Sequence, residues 1–370
     1  MRVVHIDTEH TWRGGEQQAL YTLVGLRDRG ISAVALAQPD SAFLERCTEA
    51  GLETRAFRVR GEWDLAAARR LAGVLSEETF DIVHAQTPHA HAVALLARWF
   101  LPREKRPLLV VSRRVDFPIR PDYVGLRRRK YNRADCIIAI STAVRDVLVA
   151  GGVRPEKITL VREGVDIERI DRAPERTAEI RCQWGVPEGA PFIVNVAALT
   201  GHKGQRYLIE AAPAIRQAVP EARMVIFGDG DLRSELEERI RLENVADAVT
   251  LAGFRPPEEI PSVLKAADVF VFPSVLEGLG TSLFDAMAAR APIVTTTAGG
   301  IPDIVQNERN GLLVSPRDPA ALARAVVRVV QDAELREKLI TAAREFVERE
   351  GTYQRMVEET VRVYEGLKRR

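Results

Sequence analysis

A chain of 370 residues, 46% hydrophobic and 28% charged, has the length of two ordinary domains and the composition of a globular protein, which sets aside fibrous, collagenous and largely disordered chains. Its formal charge is +1, from 53 basic and 52 acidic residues, so no global field draws it to nucleic acid. Three distant cysteines, Cys47, Cys136 and Cys182, without a CxxC pair, fit neither a disulfide framework nor a zinc site and suit a reducing cytoplasm. The opening MRVVHIDTEH interrupts its apolar run too early for a signal peptide. No stretch approaches ~18 uninterrupted apolar residues, so neither export by that route nor a membrane span is expected.

Residues 2–6 read as a short buried strand, followed by the loop Trp12-Arg13-Gly14-Gly15 and a helical pattern through Leu20, Leu23, Val24 and Arg27 that stops at Gly30. The alternation recurs in the apolar runs 31–37, 82–85, 108–111, 137–140 and 158–161, separated by helical patterns such as 66–75 and 90–99. Continuous runs of this kind belong to parallel strands covered on both faces. From 165 to 191 the periodicity fades into charge and proline, which predicts a linker at 169–190, with room for one helical turn or two, between an N-terminal domain, 1–168, and a C-terminal domain, 191–352. Strand-like runs resume at 192–196, 224–227, 249–252, 269–272, 293–296 and 312–314. The favoured architecture is α/β, with two Rossmann-like doubly wound domains facing across a cleft; a single eight-stranded barrel fits a chain broken in the middle less well. In the last segment, 353–370, Val357, Val361 and Tyr364 form an apolar stripe at helical spacing, which leaves open whether it crosses back to the first domain or packs on its own.

The most informative stretch is PSVLEGLGTSLFDAMA at 273–288, between a buried strand and a helix. Gly278 and Gly280 let backbone amides approach a ligand, and Thr281 with Ser282 opens a helix whose N-terminus favours negative charge. Glu277 stands just before that helix and Asp285 one turn inside it; carboxylates accept from hydroxyl groups. An anion site flanked by hydroxyl acceptors suits a sugar nucleotide.

This stretch resembles the acidic-x7-acidic signature of the retaining GT-B glycosyltransferases, in particular glycosyltransferase family 4 (glycosyl transferases group 1), with Asp285 in place of the usual second glutamate. The resemblance covers nearly the whole chain, through Gly14-Gly15, DIVHAQ at 81–86, EGVD at 163–166, HKG at 202–204, FGDGDLRSELE at 227–237, AADVFVFPS at 266–274, GGIPDIV at 299–305 and NGLLV at 310–314. It implies a GT-B fold, a nucleotide-diphosphate sugar bound by the C-terminal domain, no metal and no cofactor. Asp285 would lie near the ribose hydroxyls, Glu277 near the transferred sugar, and Lys203 on the diphosphate, where a fixed cation stabilises the charge gained by the leaving group. Gly14 and Gly15 would close over the phosphates, and His202, Gly228, Gly230, Phe254, Gly278, Leu279, Gly280, Thr281 and Ser282 complete the donor set.

The chain also departs from the pattern. Ala197-Ala198-Leu199 replaces the usual glycine-arginine-leucine run, and either Arg206 or Arg13 is available to supply the missing phosphate contact. Where a histidine is common after the fourth N-domain strand, the chain reads Ser112-Arg113-Arg114-Val115-Asp116. Asp116 is carried as the group at the catalytic position, and Arg113, Arg114 and His84 as acceptor or phosphate candidates.

Competing motifs are weaker. Gly228-Asp229-Gly230 lacks the third glycine of a dinucleotide fingerprint, since Arg233 stands there, and no Walker A sequence is present. Asp229-x-Asp231 reads as a turn into a helix capped by Asp231 rather than a metal-binding pair. His84, His89 and His91 lack metal-ligand spacing, and Trp63, Trp99 and Trp184 read as core or linker packing. The interval 98–133 holds twelve basic residues against three acids, a local net of +9, which points to an anionic membrane surface or glycolipid partner. A solvated basic face is the plainer reading of such a run. The expected protein is therefore a cytoplasmic, peripheral transferase of a sugar to a cell-surface or lipid-linked glycan. An epimerase or phosphorylase of the same fold, or a non-catalytic nucleotide-sugar sensor, stays open.

Overall fold

The computed structural model describes residues 1–119 and 126–369. The chain divides into two compact units, Met1–Gly164 with Tyr353–Arg370, and Val165–Thr352. Among the described residues the first unit carries β1 (Arg2–Ile6), β2 (Ser32–Ala37), β3 (Glu53–Ala56), β4 (Ile82–Ala85), β5 (Leu108–Arg113), β6 (Cys136–Ala139) and β7 (Ile158–Leu160). All pair in parallel, in the order β3-β2-β1-β4-β5-β6-β7. The apolar runs lie where helices cover both faces; β4 and β6 are buried along their whole length.

Strand β3 is the one the apolar pattern misses. Its sequence, ETRA, carries charge because it is an edge strand, half open to water. Arg55 pairs there with Glu53 at 2.7 Å and Glu78 at 2.5 Å, and charge on an edge discourages pairing with other chains.

The helix Tyr353–Lys368 belongs to the first unit. It buries Met356, Val357 and Tyr364 in the cluster that holds Val3, Tyr21, Leu26, Ile82 and Val110. A Cβ on Gly25 would lie 2.5 Å from a Val357 methyl, so the glycine sets how closely this helix seats on the helix Gly14–Arg27.

The second unit carries β8 (Phe192–Val196), β9 (Arg223–Phe227), β10 (Val249–Gly253), β11 (Val269–Phe272), β12 (Ile293–Thr296) and β13 (Leu312–Val314), parallel in the order β10-β9-β8-β11-β12-β13. The interval 169–190, expected as a linker, lies within this unit and contributes to two short helices, Ile167–Arg172 and Thr177–Gln183. Their buried residues are Ile170 and Ile180, one each, too few for a visible apolar stripe. Arg181 fastens the second of them to Asp268, just before β11, at 2.8 Å.

In each sheet the strand order reverses at one place, between β1 and β4 in the first unit and between β8 and β11 in the second. The carboxyl ends of the strands flanking such a reversal splay their loops apart, and ligands of open parallel sheets bind there.

Candidate functional site

At the reversal of the second sheet, the turn Gly201–Lys203 follows β8 and the segment 273–280 follows β11. Gly204 has φ +68°, and a Cβ there would run into the Pro273 carbonyl, so only glycine lets the two loops touch. The Val275 N–H donates to the His202 carbonyl at 2.8 Å, stitching them together. Lys203 Nζ thereby reaches Glu277 Oε2 at 2.6 Å, with the side chains only 20% and 11% exposed. The Ser274 hydroxyl donates to the same carboxylate oxygen at 3.3 Å, and the ammonium lies 5.1 Å from the centre of the Phe272 ring. The Gly300 N–H donates to the Glu277 carbonyl at 2.9 Å, which holds the residue's backbone as well.

Glycines also shape the walls. Gly228 (φ +135°) and Gly230 (φ +158°) leave no room for a Cβ: one would strike the Ala197 carbonyl, the other would lie 2.6 Å from the Leu199 carbonyl oxygen. Gly278 and Leu279 are buried, and Gly280, at φ +92°, starts the helix Thr281–Ala288 with half-buried Thr281 and Ser282 at its head. Asp285 on that helix has Oδ1 3.2 Å from an Arg169 nitrogen, and burial pushes its carboxyl up to about 6 against the pull of that guanidinium.

Other donor candidates lie farther from this pair or are otherwise engaged. Phe254 follows Gly253 and is 68% exposed. Arg206 binds Glu210 along its own helix at 3.0 Å on the surface. Asp231 does not cap the next helix, which begins at Arg233 after Leu232; Asp229 instead accepts from the Gly230 N–H at 2.8 Å.

At the reversal of the first sheet, Gly14 and Gly15 open the helix Gly14–Arg27, Arg13 is exposed, and the Arg13 N–H donates to Glu16 at 2.8 Å. A Cβ on Gly15 would sit 3.3 Å from Arg114 Cδ. Arg114 donates to Glu163 at 2.7 Å and to Gln86 Oε1 at 2.8 Å, while Gln18 exchanges two hydrogen bonds with Gly164. Arg113 donates to the Tyr131 hydroxyl and to the carbonyls of Val115 and Phe117, which braces its loop. Asp116 is half-buried in that loop.

His84, an acceptor or phosphate candidate in the sequence, lies inside the first unit. It is buried, with Nδ1 2.6 Å from the Tyr364 hydroxyl and Nε2 2.8 Å from Ser112 Oγ, and burial holds its pKa well below the usual value. Both ring nitrogens are thus engaged inside the first unit. His5 stacks edge-on against it at 4.7 Å, lies 3.2 Å from the same hydroxyl, and is pushed down to about 3. Of the other histidines, His91 is buried and His89 exposed, and among the described residues no group of three His, Cys, Asp or Glu could hold a metal ion.

Residues that sequence reasoning passed over include Asp7, Glu16 and Arg169. Asp7 directly follows β1, is 2% exposed, accepts from the Glu9 N–H at 2.8 Å, and has its carboxyl raised to about 7 by burial. Its place directly after the first strand was the available signal.

Trp63 and Trp99 were expected to pack inside, yet they are 71% and 65% exposed, whereas Trp184 lies edge-on to Phe227. The basic interval is also less charged than its sequence suggests. Arg98 pairs with Asp135, Arg114 with Glu163 and Lys130 with Glu62, acids supplied from outside it. Arg103, Lys105, Arg106, Arg128, Arg129 and Arg133 stay exposed. Arg120 and Asp122, with the Arg127 side chain, lie outside the described residues. No helix among the described residues is long and apolar enough to cross a membrane.

Two family models match this chain, Glycosyltransferase Family 4 over residues 12–169 and Glycosyl transferases group 1 over residues 176–346. The chain belongs to the GT-B glycosyltransferases. As such it is an enzyme of sugar transfer. It is 29% identical over 310 residues to a 2-deoxystreptamine glucosyltransferase of Streptomyces kanamyceticus, covering 83% of this chain and 77% of the relative. It is 31% identical over 227 residues to a GDP-mannose-dependent alpha-(1-6)-phosphatidylinositol monomannoside mannosyltransferase of Mycobacterium tuberculosis, covering 60% of this chain and 59% of that one. The chain spans less than two thirds of the length of several of the curated relatives it matches. Its fold is that of the Anabaena HepE protein, solved with UDP-glucose, with a TM-score of 0.85 at 23% identity over 99% of this chain and 100% of the other.

Proposed function

We propose that this glycosyltransferase is retaining and metal-independent, and moves a sugar from a nucleotide-diphosphate sugar to a hydroxyl of a cell-surface or lipid-linked glycan. The observation that carries the reading is the Lys203–Glu277 pair, 2.6 Å apart at the reversal of the second sheet and beside a helix N-terminus capped by a left-handed glycine. The ammonium and the helix amides answer the growing charge of a departing diphosphate, and a fixed cation supplies what a metal ion would otherwise supply. Glu277 grips the hydroxyls of the transferred sugar and Asp285 those of the ribose. The bond from the anomeric carbon to the phosphate oxygen breaks, the acceptor hydroxyl forms its bond on the same face, and its proton passes to the leaving phosphate.

The first unit is assigned the acceptor, with Asp116 and the loop around Gly14 and Gly15 as its candidate contacts. Exposed Trp63, Trp99, Phe100 and Phe117 accompany the exposed basic residues of 98–133, and aromatic rings among cations suit the interface of an anionic membrane. By its name the mycobacterial relative acts on a phosphatidylinositol mannoside, which agrees with a lipid-linked acceptor.

The test is a binding screen of nucleoside diphosphates followed by assay of nucleoside diphosphate release from the matching sugar nucleotides, with and without glycolipid acceptors. Lys203→Ala should weaken nucleoside diphosphate binding by about 1.5 to 3 kcal/mol, the range for hydrogen bonds to charged groups. Unchanged affinity in that variant would remove Lys203 from the site. Interconversion of sugar nucleotides without transfer would favour an epimerase instead.

A further inference from the structure

We infer that Arg169 is a positioning residue that aims Asp285 at the donor's ribose, so that selection for a ribonucleotide rests on this pair. The inference depends on the second unit being the donor-binding one. In this chain the second acid is an aspartate, one methylene shorter than the glutamate of the related pattern, and it stands on the helix Thr281–Ala288. Arg169 approaches it from the helix Ile167–Arg172, 116 positions earlier in the chain.

A six-residue helix has almost no stability of its own, so what orients Arg169 is its ties. At its start, Asp166 caps the helix by accepting from the Arg169 N–H at 3.0 Å. At its end, Arg344 grips both oxygens of Asp171 at 2.7 and 2.8 Å and also donates at 2.7 Å to the carbonyl of Ala288, the last residue of the Asp285 helix. The short helix is thus clamped to the longer one at two levels, Arg169 to Asp285 and Asp171 to Ala288 through Arg344. A second Arg169 nitrogen donates to the Pro257 carbonyl at 3.2 Å, which fixes the plane of the guanidinium.

This arrangement engages Asp285 Oδ1 and leaves Oδ2 for an incoming hydroxyl, on a side chain that is still 28% exposed. Ribose hydroxyls are donors, and they need an ionised acceptor. Burial and the neighbouring Asp166 push this carboxyl toward the protonated form, and Arg169 is the cation that opposes them. An arginine held on one oxygen therefore does two things at once, fixing the direction of the carboxylate and preserving its charge.

The full chain is titrated calorimetrically with whichever of ADP, GDP and UDP binds most tightly, and with its 2′,3′-dideoxy counterpart, from pH 5.5 to 8. The native protein should prefer the ribonucleotide by about tenfold or more, as expected for hydrogen bonds to a charged group. Arg169→Gln should cut that preference to about threefold or less while leaving affinity for the dideoxy compound unchanged, and Arg169→Lys should restore part of it. The pH below which the preference fades should also move upward in Arg169→Gln. A full preference in Arg169→Gln, or equal losses for both nucleotides, would overturn the inference by showing a merely structural role. Native protein that binds neither nucleotide would overturn the donor reading itself.

Discussion

In the second unit the loops at the sheet's reversal are brought together by backbone. Gly204, Gly228 and Gly230 let main chain lie directly on main chain, and one ion pair, Lys203–Glu277, is the chemistry left in the middle. The equivalent place in the first unit is filled by side chains. His5, His84, Tyr364, Gln86, Arg114 and Glu163 form a chain of buried and part-buried hydrogen bonds, and Asp7 directly follows β1. One topology therefore supports two solutions. Close-packed glycine backbone leaves amides and a single cation at the loops, which suits an anion, whereas a satisfied polar network gives a rigid floor.

The sharpest way to break the comparison is to change the charged centre of the second unit. Glu277→Gln should lower turnover by about a hundredfold to a thousandfold, the scale of losing one preorganised electrostatic partner, while the thermal melting profile stays native. Release of nucleoside diphosphate at near-native rate would take Glu277 out of the mechanism.

The backbone contrast can be tested by a matched pair. Gly228→Ala should destabilise the protein by about 1 to 3 kcal/mol, because φ +135° and the Ala197 carbonyl both reject a side chain. Gly15→Ala should change stability by less than about 1 kcal/mol, since its φ is helical and its neighbour is the flexible Arg114 stem. Chemical denaturation of both variants separates the two cases; equal losses would mean that glycine geometry does not distinguish the units.

The smallest effect concerns Asp7. Its carboxyl is raised by burial to about 7 in the folded protein, from an ordinary value of 3.8. Between those values the unfolded chain gives up its proton and the folded one keeps it, so Asp7 makes the protein less stable as pH rises from about 4 to 7, and the penalty persists above. Asp7→Asn retains the acceptor for the Glu9 N–H and should be more stable than the native protein at pH 8 by about 1 kcal/mol or more, with no gain at pH 3.5. Melting temperatures at the two pH values decide it.

Much of the fold was legible because its signals are local. Apolar runs of four to six residues, punctuated by glycine and helical stripes, mark strands buried on both faces, and they located every described strand except β3, whose exposed edge selects charge instead. The one or two helical turns expected within 165–191 are two short helices, Ile167–Arg172 and Thr177–Gln183, and their docking was not legible because each buries one side chain. In the candidate site, Lys203 and Glu277 stood out by chemistry and position. The burial of His84 did not, because a histidine in an apolar run looks the same whether its partners are water or Tyr364, 280 positions away.

The order of residues by itself determined the two series of strands and helices, the glycines at tight turns and the acids and lysine that stand at strand ends, since these follow from repeat period and backbone freedom over a few residues. Only the tertiary structure decided which charges meet. Lys203 with Glu277 and Arg169 with Asp285 are paired across 74 and 116 positions by strand order and helix docking, and no local pattern encodes a distance set by how the sheet is assembled.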